Sequence, residues 1–466
     1  MTIWTASDLF EGEDSPGMAS VRQVNQRFLG QIEVQVRYFH WDEYDIAIRE
    51  AVSSLSLPDI FVAPKGHHFQ SFLPQSLLYP VNEIVSERWI SQFDDSEFAV
   101  RFNIVDGKLY AWPGIGPELG VVLYVNKTVL QEAGMDSERV PGTWEELVQI
   151  SETIRQGSDG TKYGLLIGGG EPGQVRQMLQ GIVAGIEPAV ASGFDYRSGA
   201  YAFEGAAWKQ ALRIVAELSE RSVLHPSSYT ISEDEARSLF MMNHSAFLLA
   251  DARMAWKLEL EGGAATTGIG PMPTSDGSKP VFAYSPAYST NDYMVSAMTR
   301  HPQQVGLVIE ELFSQELYYE SLLRHGAALT PFQALNDRTE LYPSDMFTEL
   351  AEFHNHLLRR RPEPAIVNAE LVQLFKHISS LDEPSFIQPG IAHVLQKLFN
   401  RTENDVDFTL RSLNEKLNEQ LGVYVTRLRN QGEDISMEDL RFPYWNPHED
   451  YADAEYENRR KGIKNH

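Results

Sequence analysis

Apolar residues recur with two different periods along the first sixty positions. Ile3 and Trp4 lie in a short β-prone run, and Met18, Val21, Val24 and Phe28 then follow at helical spacing. Ile32, Val34, Val36 and Tyr38 alternate strictly, which predicts a half-buried strand. A polar helix is predicted from Asp42 to Ser53, and Pro58 to Ala63 reads as a short buried strand. This β-α-β-α-β order predicts a wound α/β sheet with right-handed crossovers.

The same reading continues downstream. Val105-Asp106-Gly107-Lys108-Leu109 predicts a hairpin, with Asp-Gly where positive φ is needed. Leu119 to Val125, Tyr163 to Ile167 and Ala246 to Ala250 read as strands. Thr143 and Glu146 form a capping box ahead of Leu147, Ile150 and Ile154. Trp208, Leu212, Val215 and Leu218 mark a helix, and Pro302 opens another that carries Val305, Val308, Ile309, Leu312 and Phe313. Leu410, Leu413, Leu417, Leu421, Tyr424 and Leu428 predict a long amphipathic helix. Beyond Gln431 the chain turns acidic and aromatic, then basic at Arg459-Arg460-Lys461, which reads as a tail that partly packs and frays at its end.

Composition narrows the functional classes. Of 466 residues, 39 are basic and 65 acidic, a formal net charge of -26, so phosphate backbones and anionic membrane faces are repelled. With no cysteine, disulfides, thiolate metal sites and cysteine nucleophiles are excluded. No apolar run approaches the roughly 18 residues that cross a bilayer. No export leader precedes Thr2-Ile3-Trp4, which implies either a leader trimmed away or a cytosolic protein.

Catalytic motifs are scarce. Gly168-Gly169-Gly170-Glu171-Pro172-Gly173 matches a dinucleotide-binding pattern, but Glu171 would set a negative charge against a pyrophosphate. A flexible loop bordering a cleft is the preferred reading. His67 and His68 lack an evident third metal ligand, and the acidic run Glu11, Glu13, Asp14 fits no calcium loop, so both are read as loop residues. No cofactor and no metal are expected.

Several motifs, in order, resemble the family 1 extracellular solute-binding proteins, the sugar-binding group that includes maltose-binding protein. They are Pro58-Asp59-Ile60-Phe61-Val62-Ala63, Gly107-Lys108-Leu109-Tyr110-Ala111-Trp112-Pro113, Leu123-Tyr124-Val125-Asn126-Lys127, Glu132-Ala133-Gly134-Met135 and Pro141-Gly142-Thr143-Trp144-Glu145-Glu146-Leu147. Lys162-Tyr163-Gly164, Ser245 to Asp251 and Gly270-Pro271-Met272-Pro273 follow, so the likeness runs over about residues 1 to 430. The resemblance implies a two-lobed, periplasmic-binding-protein-like α/β fold of type II with a central cleft and hinge. Lobe one would comprise 1–112 and 272–326, lobe two 113–271 and 327–430, and 431–466 would be a C-terminal extension. Members of the family are exported, which implies a leader removed upstream of Met1.

Open α/β sheets hold ligands beyond the carboxyl ends of their strands. That rule selects Ser7, Asp8 and Glu11 after strand one, His40 and Trp41 after strand two, and Lys65, His67 and His68 after strand three. The expected crossover contributes Trp112 and Glu118, the second lobe Asp251 and Arg253, and the return segment Tyr284, Tyr288 and Asn291. Carboxylates and amides suit the hydroxyl rims of sugars, and Trp and Tyr rings suit their apolar faces. Trp144 and Trp208 lie on helix stripes and are read as packing. Arg253 is read first as a partner of Asp251 and second as a fork for a carboxylated sugar.

The functional expectation is a non-catalytic, monomeric receptor of an ABC importer, lipid-anchored outside the cytoplasm, that closes on an oligosaccharide and passes it to permeases. The rival readings are a glycan-active enzyme, needing two carboxylates about 5 to 10 Å apart, and a sensor that presents its ligand to a receptor kinase.

Overall fold

The Ser15 hydroxyl accepts a hydrogen bond from the Met18 amide and Pro16 fills the next position, so the first helix starts where a cap and a proline allow it. The structure, a computed structural model, describes residues 1–64, 72–73, 75–93, 103–284, 292–368, 371 and 390–460. Of the residues singled out above, Lys65, His67, His68, Tyr288, Asn291 and Lys461 lie outside that set.

The chain opens with β1 (Thr2–Thr5), α1 (Pro16–Arg27), β2 (Gln35–Tyr38), α2 (Trp41–Ser53), β3 (Ile60–Val62), β4 (Leu78–Tyr79) and β5 (Ala111–Pro113). Then come β6 (Val121–Asn126), α3 (Trp144–Gly157), β7 (Tyr163–Ile167), α4 (Pro172–Ala184), α5 (Ala206–Glu220), α6 (Glu233–Met241), β8 (Ser245–Asp251), α7 (Met254–Leu260), β9 (Thr267–Gly270) and β10 (Phe282–Tyr284). The last third holds β11 (Asp292–Ser296), α8 (Pro302–Leu312), α9 (Asp345–Leu357), β12 (Leu358–Arg360), α10 (Ile391–Phe399) and α11 (Val406–Asn430).

Two compact units result: Met1–Glu118 with Pro286–Pro343, and Leu119–Ser285 with Ser344–His466. In the first unit the sheet runs β2-β1-β3-β11-β4, with β5 also paired to β11. β1 is parallel to β2 and β3, whereas β11 is antiparallel to its neighbours. Tyr44 of α2 locks this sheet, because its hydroxyl donates to the Val62 carbonyl (2.7 Å) and accepts from the Val62 amide (3.0 Å). In the second unit the order is β9-β6-β8-β7, with β8 parallel to β7 and antiparallel to β6. The ends of β7 and β8 therefore share one edge with the start of β6.

Most elements lie where periodicity puts them, and the departures have local causes. Ile32 to Val34 is not strand: the Asn25 side chain takes both backbone groups of Val34 (2.7 and 2.9 Å), supplanting a strand partner. Glu146 reaches back past Thr143 to the Gly142 amide (2.9 Å), while the Thr143 hydroxyl accepts from the Glu146 amide as expected. Asp106 and Gly107 both have positive φ in a tight hairpin.

The division between units differs from the expected lobe boundaries. Residues 272–285 stay with the second unit because Thr274 exchanges backbone bonds with Gly142 and Trp144 (3.1 Å each). Residues 327–343 stay with the first. There Gly116 donates to the Leu329 carbonyl (2.9 Å), and a Cβ on Gly116 would stand 2.5 Å from the Thr330 oxygen. The segment after Gln431 packs, as its aromatic residues imply: Phe442, Trp445, Tyr451 and Tyr456 are all buried within the second unit.

Candidate functional site

Each unit gathers polar side chains at the carboxyl ends of its strands. In the first, β1 delivers Ser7, Asp8 and, one turn on, Glu11. Ser7 is buried, its amide donating to Thr5 Oγ1 (3.0 Å), and its own Oγ has no hydrogen-bond partner among the described residues. β2 ends at Tyr38, whose hydroxyl faces the Glu11 carboxylate. Burial, then the charges of Glu11 and Asp8, push that phenol up to about 12. Tyr38 was missed because it sits inside the alternating run and reads as an ordinary strand residue. Trp41 is half-buried in the first turn of α2, edge-on to Tyr44 (5.9 Å). His40 precedes it, edge-on to Tyr38 (5.6 Å).

Trp112 does not belong to this cluster. It is fully buried in β5, packed against Trp89, Tyr293 and Phe313 at 5.2 to 5.9 Å. The expectation that its ring covers a sugar face is therefore corrected: pairing of β5 with β11 turns the ring inward, register Trp112 to Tyr293. Trp208 and Trp144 are buried, as expected of helix packing, and the Trp208 indole donates to the Val190 carbonyl (3.1 Å).

In the second unit the cluster is built on the end of β8. The Tyr124 hydroxyl lies within hydrogen-bond reach of the Asp251 and Ala252 carbonyls (3.0 and 2.9 Å), and the Ala252 amide donates to the Gly120 carbonyl (3.0 Å). Asp251 Oδ1 accepts from the Arg253 amide (2.9 Å) and lies 3.7 Å from Arg253 Nε. Arg253 thus serves Asp251, the first of its two readings. Glu233, at the start of α6, accepts from the Asp251 amide (3.0 Å) and from the Gln174 side chain (3.1 Å). Burial, then repulsion by Asp251, raises its carboxyl to about 7, so near neutral pH Glu233 can both donate and accept. Lys257, whose charge acts against this rise, is held by Asp234 (3.0 Å). Sequence reasoning missed Glu233. The Ser232-to-Glu235 spacing does announce a helix start, and the capping box is present, but burial of the intervening glutamate depends on β7 and β8. Glu118 is half-buried just before β6, and Tyr284, half-exposed, ends β10.

The glycine run is packed tightly rather than held as a flexible loop. The amides of Gly169 and Gly170 donate to the Ser228 and Ile231 carbonyls (2.8 Å each), so they are not aimed at a phosphate. The Gln396 side chain donates to both glycine carbonyls (3.1 and 2.9 Å). A Cβ on Gly168 would stand 2.6 Å from Glu233 Cα, which is backbone and cannot swing aside. Gly168→Ala is expected to cost about 2 kcal/mol in denaturant unfolding, because α6 and Glu233 must move. Gly173→Ala, where a Cβ meets nothing within 4 Å, is expected to be neutral or slightly stabilising in the same assay.

Residues 19–320 match the sequence profile of a family described as bacterial extracellular solute-binding protein. No curated protein matches the chain. Among solved structures, the GacH receptor of Streptomyces glaucescens GLA.O, described unliganded and with acarbose, aligns with a TM-score of 0.65 at 15% identity over 91% of this chain and 98% of that one. An ABC transporter solute-binding protein from Thermotoga lettingae TMO, bound with α-D-tagatose, aligns at 0.65 with 16% identity over 91% and 99%. Maltose-bound MalE3 of T. maritima aligns at 0.65 with 15% identity over 91% and 99%. At such identity the likeness shows the fold, which is the two-lobed α/β arrangement of periplasmic binding proteins.

Proposed function

We propose, from the premise that this chain belongs to the family of bacterial extracellular solute-binding proteins, that it captures a carbohydrate and hands it to the permeases of an ABC importer. The observation that carries the reading is the placement of two hydroxyl-matching clusters at strand ends. One is Ser7, Asp8, Glu11 and Tyr38, and the other Glu233, Asp251 and Arg253. Carboxylates and phenol hydroxyls pair with sugar rims, and the buried Ser7 Oγ is an acceptor and donor that a ligand hydroxyl would satisfy. The neighbours described with acarbose, tagatose and maltose bind the same class of compound. Because Arg253 is engaged by Asp251 and both clusters carry carboxylates, the ligand is a neutral carbohydrate rather than a uronic acid.

Binding acts on a hinge. Ligand contacts to both lobes form only in the closed state, so the ligand shifts the open–closed equilibrium by its differential affinity. The carbohydrate leaves unchanged, the working form is a monomer, and a lipid anchor upstream holds it outside the cytoplasm.

A thermal-shift screen with acarbose, tagatose, maltose and raffinose tests the reading. A ligand at one hundred times its Kd is expected to add about 2.7 kcal/mol of stability, with intact sugar recovered afterwards and a smaller radius of gyration in scattering. Unchanged melting across a broad carbohydrate panel, or recovery of cleaved sugar, would defeat it.

A further inference from the structure

β10 and β12 form a two-stranded parallel pair in register Phe282 to Leu358 and Tyr284 to Arg360, and the Arg361 amide donates to the Tyr284 carbonyl (2.9 Å). Two strands do not hold together well in water, and parallel pairing is the weaker kind. Because successive residues of a strand point their amides to opposite edges, the backbone groups of Arg360 face away from β10. The C-terminal segment takes both: the Arg360 amide donates to Asp450 Oδ1 (2.6 Å), and its carbonyl accepts from the Tyr451 amide (2.8 Å). The same segment is anchored repeatedly nearby. The Tyr456 hydroxyl accepts from the amide of Glu363 (2.7 Å), a buried residue in an ion pair with Arg361 (3.1 Å). The Phe442 amide donates to the Tyr196 carbonyl (2.7 Å), and Arg459 lies over the Phe442 ring (4.2 Å).

The other side of the pair meets the candidate site. An added Cβ on Gly120 would lie 3.5 Å from the Phe282 ring, and the Gly120 carbonyl holds the amide of Ala252 next to Asp251. Tyr284 lies two residues beyond Phe282, on the same face of β10. A continuous chain of contacts therefore runs from Asp450 and Tyr451 through β12 and β10 to the strand-end edge of the second unit.

We propose that the C-terminal segment is a positioning strap for the ligand site: by closing the outer edge of β12 it fixes β10, and with it the approach of Tyr284 to ligand. The ligand half of this statement rests on the carbohydrate-binding reading. Asp450 is exposed, so Asp450→Ala removes the acceptor without opening the core, and Asp450→Asn retains it. Tyr456→Phe, which strips the acceptor from the Glu363 amide, is a second, independent loosening.

Hydrogen exchange by mass spectrometry of the full chain, with calorimetric titration of maltose and raffinose, decides the matter. Asp450→Ala and Tyr456→Phe are each expected to speed exchange at Phe282–Tyr284 and Leu358–Arg360 about tenfold. They are also expected to weaken carbohydrate binding about tenfold while overall melting changes little, and Asp450→Asn is expected to restore both. Unchanged exchange in both loosened variants overturns the strap. Faster exchange with undiminished affinity overturns its positioning role and leaves it a structural brace. If the parent protein binds neither sugar, that result counts against the carbohydrate reading, and the exchange rates alone then judge the strap.

Discussion

Trp112→Ala is expected to destabilise the first unit by about 4 kcal/mol, lowering its melting midpoint by roughly 10 °C. The indole is completely buried, and its neighbours Trp89, Tyr293 and Phe313 are themselves fixed by other contacts. Tyr293 belongs to β11, the strand that ties β3, β4 and β5 into one sheet. The Trp89 indole donates to the Phe313 carbonyl (3.1 Å), so that side cannot collapse into the space either. A cavity lined by rings that cannot close in keeps its full cost. Trp112→Phe, which retains most of the volume, is expected to recover more than half of the loss. Denaturant unfolding and carbohydrate titration of the same variants separate the two roles that this sequence position allows. A tryptophan that covers a sugar would, when replaced, leave the midpoint in place and abolish affinity.

Glu233→Gln is expected to raise stability at pH 8 by up to about 3 kcal/mol, less whatever water screens at this half-buried site, and to change nothing near pH 4. The carboxyl titrates at about 7 in the folded protein against 4.5 without the fold. Below 4.5 both folded and unfolded chains hold the proton, so the residue adds no pH dependence. Between 4.5 and 7 the unfolded chain releases its proton while the folded chain keeps it, and stability falls as pH rises. Above 7 the penalty is complete, since an ionised Glu233 is desolvated beside Asp251. Glutamine keeps an acceptor for the Asp251 amide, and the Gln174 amide can turn to match the new donor. Melting curves from pH 4 to 8.5 measure the effect. Parallel curves for parent and variant across that range would show that the carboxyl titrates normally.

The local grammar of this chain was legible before any coordinates. Thr143 before an apolar stripe, Pro302 at a helix start, Asp106-Gly107 between short strands and the leucine ladder of Val406–Asn430 each act within a few residues. Their energetics are therefore written in consecutive positions. The rule that open sheets bind ligands beyond their strand ends singled out Ser7, Asp8, Glu11 and Asp251, and the structure has them at the ends of their strands. What those residues touch was out of reach. Tyr38 faces Glu11 because β2 pairs with β1, and Glu233 meets Asp251 because α6 packs on β8.

Sequence alone determined that this is an acidic, cysteine-free α/β chain whose motif order resembles sugar-binding receptors. Those properties follow from composition, short-range periodicity and linear order. Tertiary structure decided which aromatics are core and which are available. Trp112 lies within one short strand and Trp41 follows another, and pairing with β11 buries the first while the first turn of a helix leaves the second half-buried. It also decided that Gly168 to Gly170 is a packing loop and that Asp450 and Tyr451 bond the backbone of Arg360. Both depend on backbone groups more than fifty residues away, and no local pattern encodes such partners. Side-chain identity sets what a residue can do, and the long-range partner it meets sets what it does.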